Sequence, residues 1–553
     1  MNHLPRQFDY IVVGAGSAGS VVASRLSEDP RNQVLLIEAG PEDRSPWSRI
    51  PLGFAKILFD KKYTSWDLQT EPEPQLKNRR YSLPYGRLVG GSSAINGLVH
   101  VRGTKSDYQS WVDKGAEGWG WDDILPYHKR YESDHRGDTE VHNGHGPIGI
   151  EKARWQNPLA DAYIEAASTT LGTRKHVDFN SGNPEGSGYW DLATHNGVRS
   201  STSQTILKQA RKRGNLSVLT EAQVIKINFD GKRAVGVTYR KTSQELTVSA
   251  AREVVLSAGA LRTPQLLQLS GVGPAELLRK HDITVVHDLK GVGEDLMDHA
   301  QVGRKYVTTS KYTFNKLIRL PLQQGLQAIK YLLGQRSGPL TIGASLAGSY
   351  LKTDPAAPDA DLQLHFLPFM PGDKGWDLAT FSGFRLGMYQ GRPKSRGHVR
   401  ITSSDPDANP EFIFNHLSHE EDRKALMAGM RIAKKIAEAM PKELGVKEVA
   451  PGPQGDSEEG LLEYIRANAD TAFHYAGTAR MGTDEMSVVD PQLRVHGIEG
   501  LRVIDASVMP EELTANIHAA VLMIAERGAD FIKEESTRRE ASETKSSGSN
   551  VTQ

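Results

Sequence analysis

The run from Phe8 to Gly19 constrains the fold more than any other stretch of this chain. It reads FDYIVV, followed by Gly14-Ala15-Gly16-Ser17-Ala18-Gly19. An apolar run rich in β-branched and aromatic residues has the composition of a buried parallel strand. The glycines then open a helix, SAGSVVASRLSE. In such a turn the first glycine allows the tight bend. The second lets the backbone approach a pyrophosphate, and the third lets helix and strand pack closely. The free N–H groups where Ser17 and Ala18 begin the helix are a diphosphate site. A second strand, Gln33 to Ile37, ends in Glu38. An acidic residue roughly 20 positions beyond the glycines is where a ribose hydroxyl is held. The expected class is α/β, with a Rossmann-like dinucleotide domain.

A second match to the pattern, Gly144-His145-Gly146-Pro147-Ile148-Gly149, follows the polar DTEVHN and contains a proline, so it fails the strand–turn–helix test. Gly271-Val272-Gly273 and Gly291-Val292-Gly293 lack the third glycine. One dinucleotide site implies that its ligand is also the redox cofactor. The glycines do not choose between FAD and NAD.

At 553 residues the chain is too long for one ordinary core, so two domains are expected. The 67 Lys+Arg balance the 67 Asp+Glu, which gives no reason to expect nucleic acid or a polyanion as partner. With no cysteine, disulfides, thiolate metal sites and cysteine nucleophiles are excluded. No paired His–carboxylate spacing suggests a metal. The opening MNHLPRQFDY lacks the apolar run of a secretory signal, and no long apolar stretch predicts a spanning helix. A cytoplasmic protein is the expectation. Residues 536–553 are polar and aperiodic and read as a disordered tail, which makes the Asn550 sequon a chance match.

Further motifs lie downstream: Gly86-Arg87-Leu88-Val89-Gly90-Gly91-Ser92-Ser93-Ala94-Ile95-Asn96-Gly97, then Gly259-Ala260-Leu261-Arg262-Thr263-Pro264 running into Ser270-Gly271-Val272-Gly273. Near the C-terminus stand His474-Tyr475-Ala476-Gly477-Thr478-Ala479-Arg480-Met481-Gly482 and Asp505-Ala506-Ser507-Val508-Met509-Pro510. In this order, with Pro393-Lys394-Ser395-Arg396-Gly397, they resemble the glucose–methanol–choline (GMC) family of FAD oxidoreductases. The alcohol and choline dehydrogenase branch of bacteria is the nearest in pattern.

The resemblance implies bound FAD and oxidation of an alcohol. Gly14, Gly16 and Gly19 would hold the pyrophosphate, Glu38 the ribose, and Val224 the adenine. Arg87, Gly91, Ser92, Asn96, Asp505, Ala506 and Ile517 would lie near the flavin or its ribityl chain. His474 would accept the hydroxyl proton while the hydride moves to flavin N5. His518, in the turn Thr514-Ala515-Asn516-Ile517-His518, would orient the same oxygen. A histidine suits this work because its ordinary pKa lies near neutrality. Ile95 occupies the position where some members attach flavin through histidine, so FAD is expected to be non-covalent. Tyr475 replaces a frequent proline, and His100 a frequent aromatic. Arg480 reads as structural, while His299, His365 and His496 have no comparable context.

The expected reaction converts a primary, aliphatic alcohol to an aldehyde. Choline oxidation, an oxygen-using oxidase and a hydroxynitrile lyase are the rivals. The resemblance also implies an FAD domain at 1–155, 200–305 and 460–535, with a substrate domain at 156–199 and 306–459. The substrate domain should carry an antiparallel sheet that includes ADLQLHFLPF and GHVRITSS. Residues 315–334, NKLIRLPLQQGLQAIKYLLG, form a basic amphipathic segment interrupted by Pro321. Inward packing in the substrate domain is the favoured reading. The alternative is peripheral contact with the inner membrane, which would suit a quinone acceptor.

Overall fold

The computed structural model describes residues 5–58, 60–64, 68–318, 321–372 and 378–548. Two seven-stranded sheets organise it. In the first the order is Gln223–Asp230, Arg233–Lys241, Gln244–Leu256, Gln7–Val13, Val34–Ile37 and Leu216–Leu219, with Leu501–Val503 also paired to Gln244–Leu256. The two hairpin pairings at one edge are antiparallel, and the rest are parallel.

The register is what builds a site. Val13 aligns with both Leu256 and Ile37, Ile37 with Leu219, and Leu256 with Val503. Five strands therefore end along one edge, and the residues that follow them include Gly14, Glu38, Ser257 and Asp505. Ligands of open parallel sheets bind outside these carboxyl ends. The helix Ser17–Leu26 starts there too. A Cβ on Gly14, whose φ is +98°, would lie 2.5 Å from Ser257 O, and one on Gly19 would lie 1.9 Å from Gly14 O. A larger residue at either position would push the helix off its strand.

The second sheet is antiparallel, in the order Lys447–Ala450, Ala300–Val307, Gly383–Gln390, Leu362–Leu367, Ala347–Leu351 and Gly186–Tyr189, with Asp470–Thr471 also paired to Ala300–Val307. Alternation along Leu362–Leu367 explains its two faces. Leu362, Leu364 and Phe366 are buried on the side of the helix Glu420–Ala439, which presents Leu426, Met430, Ala433 and Ala437. Gln363, His365 and Leu367 face the other way.

Several sequence expectations need correction. GHVRITSS supplies only His398–Arg400, paired with Glu411–Ile413 in a separate ribbon, so it does not extend the large sheet. Ala300–Val307 crosses the expected boundary at residue 305, and Asp470–Thr471 joins the second sheet from inside 460–535. The C-terminal helix runs His518–Gly548, so most of the expected disordered tail is helical. Ion pairs hold that extension: Arg502 and Arg539 meet Glu535, and Arg31 and Arg252 meet Glu540. Asn550 lies outside the described residues.

Pro321 starts a helix, Pro321–Lys330, where its missing N–H costs nothing. No residue of that helix is buried, so the inward-packed reading does not hold for it, although Asn315 and Tyr331 of the same segment are buried. Arg319 lies outside the described residues. No described helix is long and apolar enough to cross a membrane.

Candidate active site

The two sheets enclose a cavity of about 810 Å³ that reaches from Glu38 at one end to His474 at the other. That is ample for a dinucleotide-sized ligand by the usual range of small-molecule sites. Gly14, Gly16, Ser17, Ala18, Glu38 and Val224 line its first part; Gly91, Ser92, Asn96, Asp505, Ala506 and Ile517 line its middle. His474 and His518 also face it. Gly19 and Arg87 do not line it. Gly19 is spent on packing, and the Arg87 charge acts on Glu38 from behind the wall.

The residues present fit an extended phosphate-bearing cofactor. A Cβ on Gly16 would face open space apart from Gly91 Cα at 4.0 Å, and one on Gly91 would lie 2.7 Å from Gly16 Cα. These two backbones close on each other, with room only for a ligand chain. The loop is clasped there by Gly90 N donating to Ala15 O at 2.7 Å and Val89 N to Pro41 O at 3.0 Å. Glu38 accepts from Ala15 N at 2.9 Å and Gly40 N at 2.8 Å. Burial pushes its carboxyl up to about 7 despite those bonds. Val224 stands near it because Ala222 N donates to Glu38 O at 2.9 Å. Asp505 ties the middle motifs together, accepting from Gly259 N at 2.8 Å, Thr263 Oγ1 at 2.7 Å and Ser507 N at 2.8 Å.

His474 sits in a bulge between two pairing points. Asp470–Thr471 pairs with Ala300 and Gln301, and Ala476 pairs with Met297. The chain from Met297 to Gln301 therefore runs beside it. Asp298 Oδ1 accepts from His474 N at 2.8 Å. Burial pushes the Asp298 carboxyl up to about 8.

The ring contacts of His474 fix its tautomer. His299 Nε2 lies 2.8 Å from Gly391 O and 2.9 Å from Leu513 O. Carbonyls only accept, so His299 Nε2 carries the proton and its Nδ1 is an acceptor. His474 Nδ1, 2.8 Å from His299 Nδ1, must then donate. His474 Nε2 is then the acceptor nitrogen, and Asn516 Nδ2 donates to it at 3.0 Å. The Asn516 amide is oriented in turn by Gln363 Nε2, which donates to Asn516 Oδ1 at 3.1 Å, while Tyr389 OH donates to Gln363 Oε1. The links of this chain run with one polarity. Burial holds His474 well below the ordinary imidazole pKa and His299 down to about 4, so both are neutral near pH 7.

The structure sets Asn516 against His474, two residues before His518, which begins the helix. His518 still faces the cavity, where its Nε2 has no hydrogen-bond partner among the described residues. Burial and the Arg199 charge hold it down to about 4. Arg199 Nη1 donates to Asn96 Oδ1 at 2.6 Å and fixes the loop from inside the protein. Arg480 pairs with Asp295 at 2.8 Å and with Asp484, a structural role.

Sequence reasoning passed over His299, Asn516, Gln363, Tyr389 and Arg199. His299 is 175 positions from His474, and no local spacing signals the contact. Asn516 was visible in the same turn as His518, but its orientation was not. A cluster of Glu132, Asp134 and His142 has ligand-like spacing. Its carboxylates are already paired with Arg102 and Arg136, so it reads as a buried ion network.

Comparison with known proteins identifies the family. The N-terminal and C-terminal GMC oxidoreductase families match residues 8–301 and 393–525. The oxygen-dependent choline dehydrogenase of Escherichia coli (strain K12) is 41% identical over 539 residues, 95% of this chain and 96% of that protein. Pyridoxine 4-oxidase from Mesorbium loti is a similar solved structure, with TM-score 0.84 and 31% identity over 95% of this chain and 98% of that one. An FAD-dependent oxidoreductase from Chaetomium thermophilum has TM-score 0.87 and 28% identity over 96% of this chain and 100% of that one. The chain belongs to the GMC oxidoreductase family, and its cofactor is FAD.

Proposed function

We propose that this GMC oxidoreductase converts a primary alcohol to an aldehyde, with His474 as proton acceptor. The observation that carries the reading is the polarity of the His299–His474–Asn516 chain, which leaves His474 Nε2 as a base facing the cavity. FAD, when bound, supplies the acceptor for the hydride that leaves the alcohol carbon. His474 Nε2 takes the hydroxyl proton, so that a neutral aldehyde results. The second N–H of Asn516 is free to hold the same oxygen in place. Gly14, Gly16, Ser17 and Ala18 would bind the pyrophosphate, Glu38 the ribose and Val224 the adenine. Gly91, Ser92, Asn96, Asp505, Ala506 and Ile517 would contact the flavin end. Ile95 offers no nucleophile for a covalent flavin link, and His518 would be a polar contact on the flavin side.

Leu367, Phe369 and Phe473 give the substrate end an apolar wall, which supports an aliphatic chain. Choline is the rival suggested by the names of the relatives. It needs aromatic faces or a carboxylate about its cation. An oxidase remains the reading if oxygen accepts the electrons, and a hydroxynitrile lyase if no electrons move. A quinone acceptor in an adjoining inner membrane is the favoured partner, supported by the exposed face of Pro321–Lys330.

Anaerobic mixing of the holoenzyme with a panel of alcohols tests the oxidation directly. Flavin bleaching is expected, with faster return of colour on adding quinone than on adding air. Replacing His474 by Ala should slow bleaching by about 10²–10⁴-fold, the usual share of a general base, with FAD retained. An unchanged rate would move proton acceptance elsewhere. A flavin that no alcohol bleaches would sink the oxidation reading.

A further inference from the structure

The substrate end of the cavity holds a half-buried cation that makes no ion pair among the described residues. Arg385 lies in the strand Gly383–Gln390, where Arg385, Gly387 and Tyr389 share one face and all three line the cavity. Gly387 is in register with Gly303 on the neighbouring strand. A Cβ on Gly303 would lie 2.7 Å from Arg385 Nε, and one on Gly387 would lie 3.8 Å from it. The arginine therefore lies across this glycine pair, along the floor that leads to Tyr389. Tyr389 stacks on His299 at 4.4 Å and meets the ring of His474 edge-on at 5.5 Å.

Arg385 Nε has no hydrogen-bond partner among the described residues. Its cross-strand neighbours are Lys305 and Leu367, neither of them acidic. Asp470 acts on it only through space. Asp470 lines the same cavity but forms no ion pair with Arg385. Gln301, on the same floor, is neutral and donates to Thr471 O at 2.7 Å. A guanidinium facing a cavity without a paired anion lacks its best partner, and a ligand carboxylate supplies it through two parallel hydrogen bonds. A quaternary ammonium at this end would meet a positive charge instead.

We infer that the substrate is an alcohol carrying a carboxylate, or a like anion, at the end remote from its hydroxyl, and that Arg385 holds it. This rests on the oxidation reading above. Four strand residues, about 13 Å, separate Tyr389 from Arg385, and the arginine side chain reaches back over part of that distance. A medium-chain ω-hydroxy acid fits, its methylenes against Leu367 and Phe369.

The test compares ω-hydroxyoctanoate, octanol and choline as reductants of the holoenzyme flavin, in the wild type and in Arg385→Gln and Arg385→Lys. The hydroxy acid should exceed octanol in kcat/KM by about 100-fold or more, the scale on which a site with a buried polar group rejects a ligand that leaves it unpaired. That ratio should collapse toward one in Arg385→Gln and recover in part in Arg385→Lys. Octanol equal to or better than the hydroxy acid would overturn the inference and leave the oxidation reading standing. So would choline as the best substrate, or loss of FAD from Arg385→Gln, which would assign the arginine to the cofactor.

A second readout needs no turnover. Octanoate, a dead-end ligand, should perturb the flavin spectrum more tightly than octanamide does, and the difference should vanish in Arg385→Gln. Equal binding of the two overturns the anion site. Selective octanoate binding with no flavin reduction by any alcohol supports the site and defeats the oxidation reading.

Discussion

The tautomer of His474 is decided one ring away from the chemistry. Two backbone carbonyls that can only accept, Gly391 O and Leu513 O, fix the proton on His299 Nε2, and His299 then fixes His474. His299→Phe removes the acceptor for His474 Nδ1–H while keeping the stack on Tyr389. Kcat/KM should fall by about 10–100-fold, the scale of a misoriented catalytic group. His299→Gln can still accept on one side and donate on the other, so it should recover much of that loss. A uniform loss in both variants, tracking FAD content or thermal stability, would mean that His299 only packs. The Arg385 and His474 experiments belong to this scale as well, because each turns on one charge or one lone pair. Much of the residue list was legible: glycines and an acidic residue at fixed offsets from a strand announce their own roles. Asn516 and His299 were not, since a side chain's direction and a contact between distant segments leave no mark on local spacing.

Among the elements, Pro321–Lys330 stands apart because none of its described residues is buried. Leu322, Leu326 and Ile329, spaced along one face, are 76%, 50% and 54% exposed, and Leu333 in the turn beyond is 78% exposed. Tyr331 roots the helix, its hydroxyl donating to Gly197 O at 2.8 Å. Between Asp298 and Asp354 the sequence has no acidic residue, while Lys311, Lys316, Lys330 and Arg336 fall within that stretch. An apolar stripe with cations on both sides of it in sequence would suit an anionic lipid surface, where each such cation contributes about 1 kcal/mol. The holoenzyme should float with phosphatidylglycerol-containing vesicles and remain behind with phosphatidylcholine alone. Leu326→Glu should reduce that binding by about tenfold or more, the effect of placing a charge in a stripe that must enter lipid. Failure to float, or flotation indifferent to Leu326→Glu, would remove the membrane reading. The amphipathic pattern was plain in the sequence. Whether its apolar face turned inward depended on what the rest of the fold had already covered.

At the scale of the whole molecule, desolvated histidines set the response to acid. Burial holds His100, His365 and His416 down to about 3 and His299 and His518 to about 4, against an ordinary value near 6.5. Between these values the unfolded chain binds protons that the folded chain refuses, so stability falls as pH drops below about 6.5. On the other side, burial raises Asp298 to about 8. His142 is raised to about 9 by its bonds to Asp178 and Glu132, which outweigh the burial that would lower it. The folded state keeps those protons while the unfolded state loses them, so stability also declines as pH rises toward 9. The Tm of the holoenzyme should therefore peak near pH 6.5, with the steeper loss on the acid side. A Tm flat from pH 4 to 6.5 would contradict the burial of these rings.

The sequence alone determined the family and, through the family resemblance, the cofactor; the strand–turn–helix was legible because its chemistry is local and its glycines have no substitutes. It also singled out His474 as the candidate base. Tertiary structure decided the rest: which amide faces the base, which tautomer the base adopts, which cation stands unpaired in the cavity, and which helix stays uncovered. The physical reason is the same in each case. Hydrogen-bond direction, burial and charge pairing depend on neighbours brought together across hundreds of residues by two sheets whose strands are scattered along the chain.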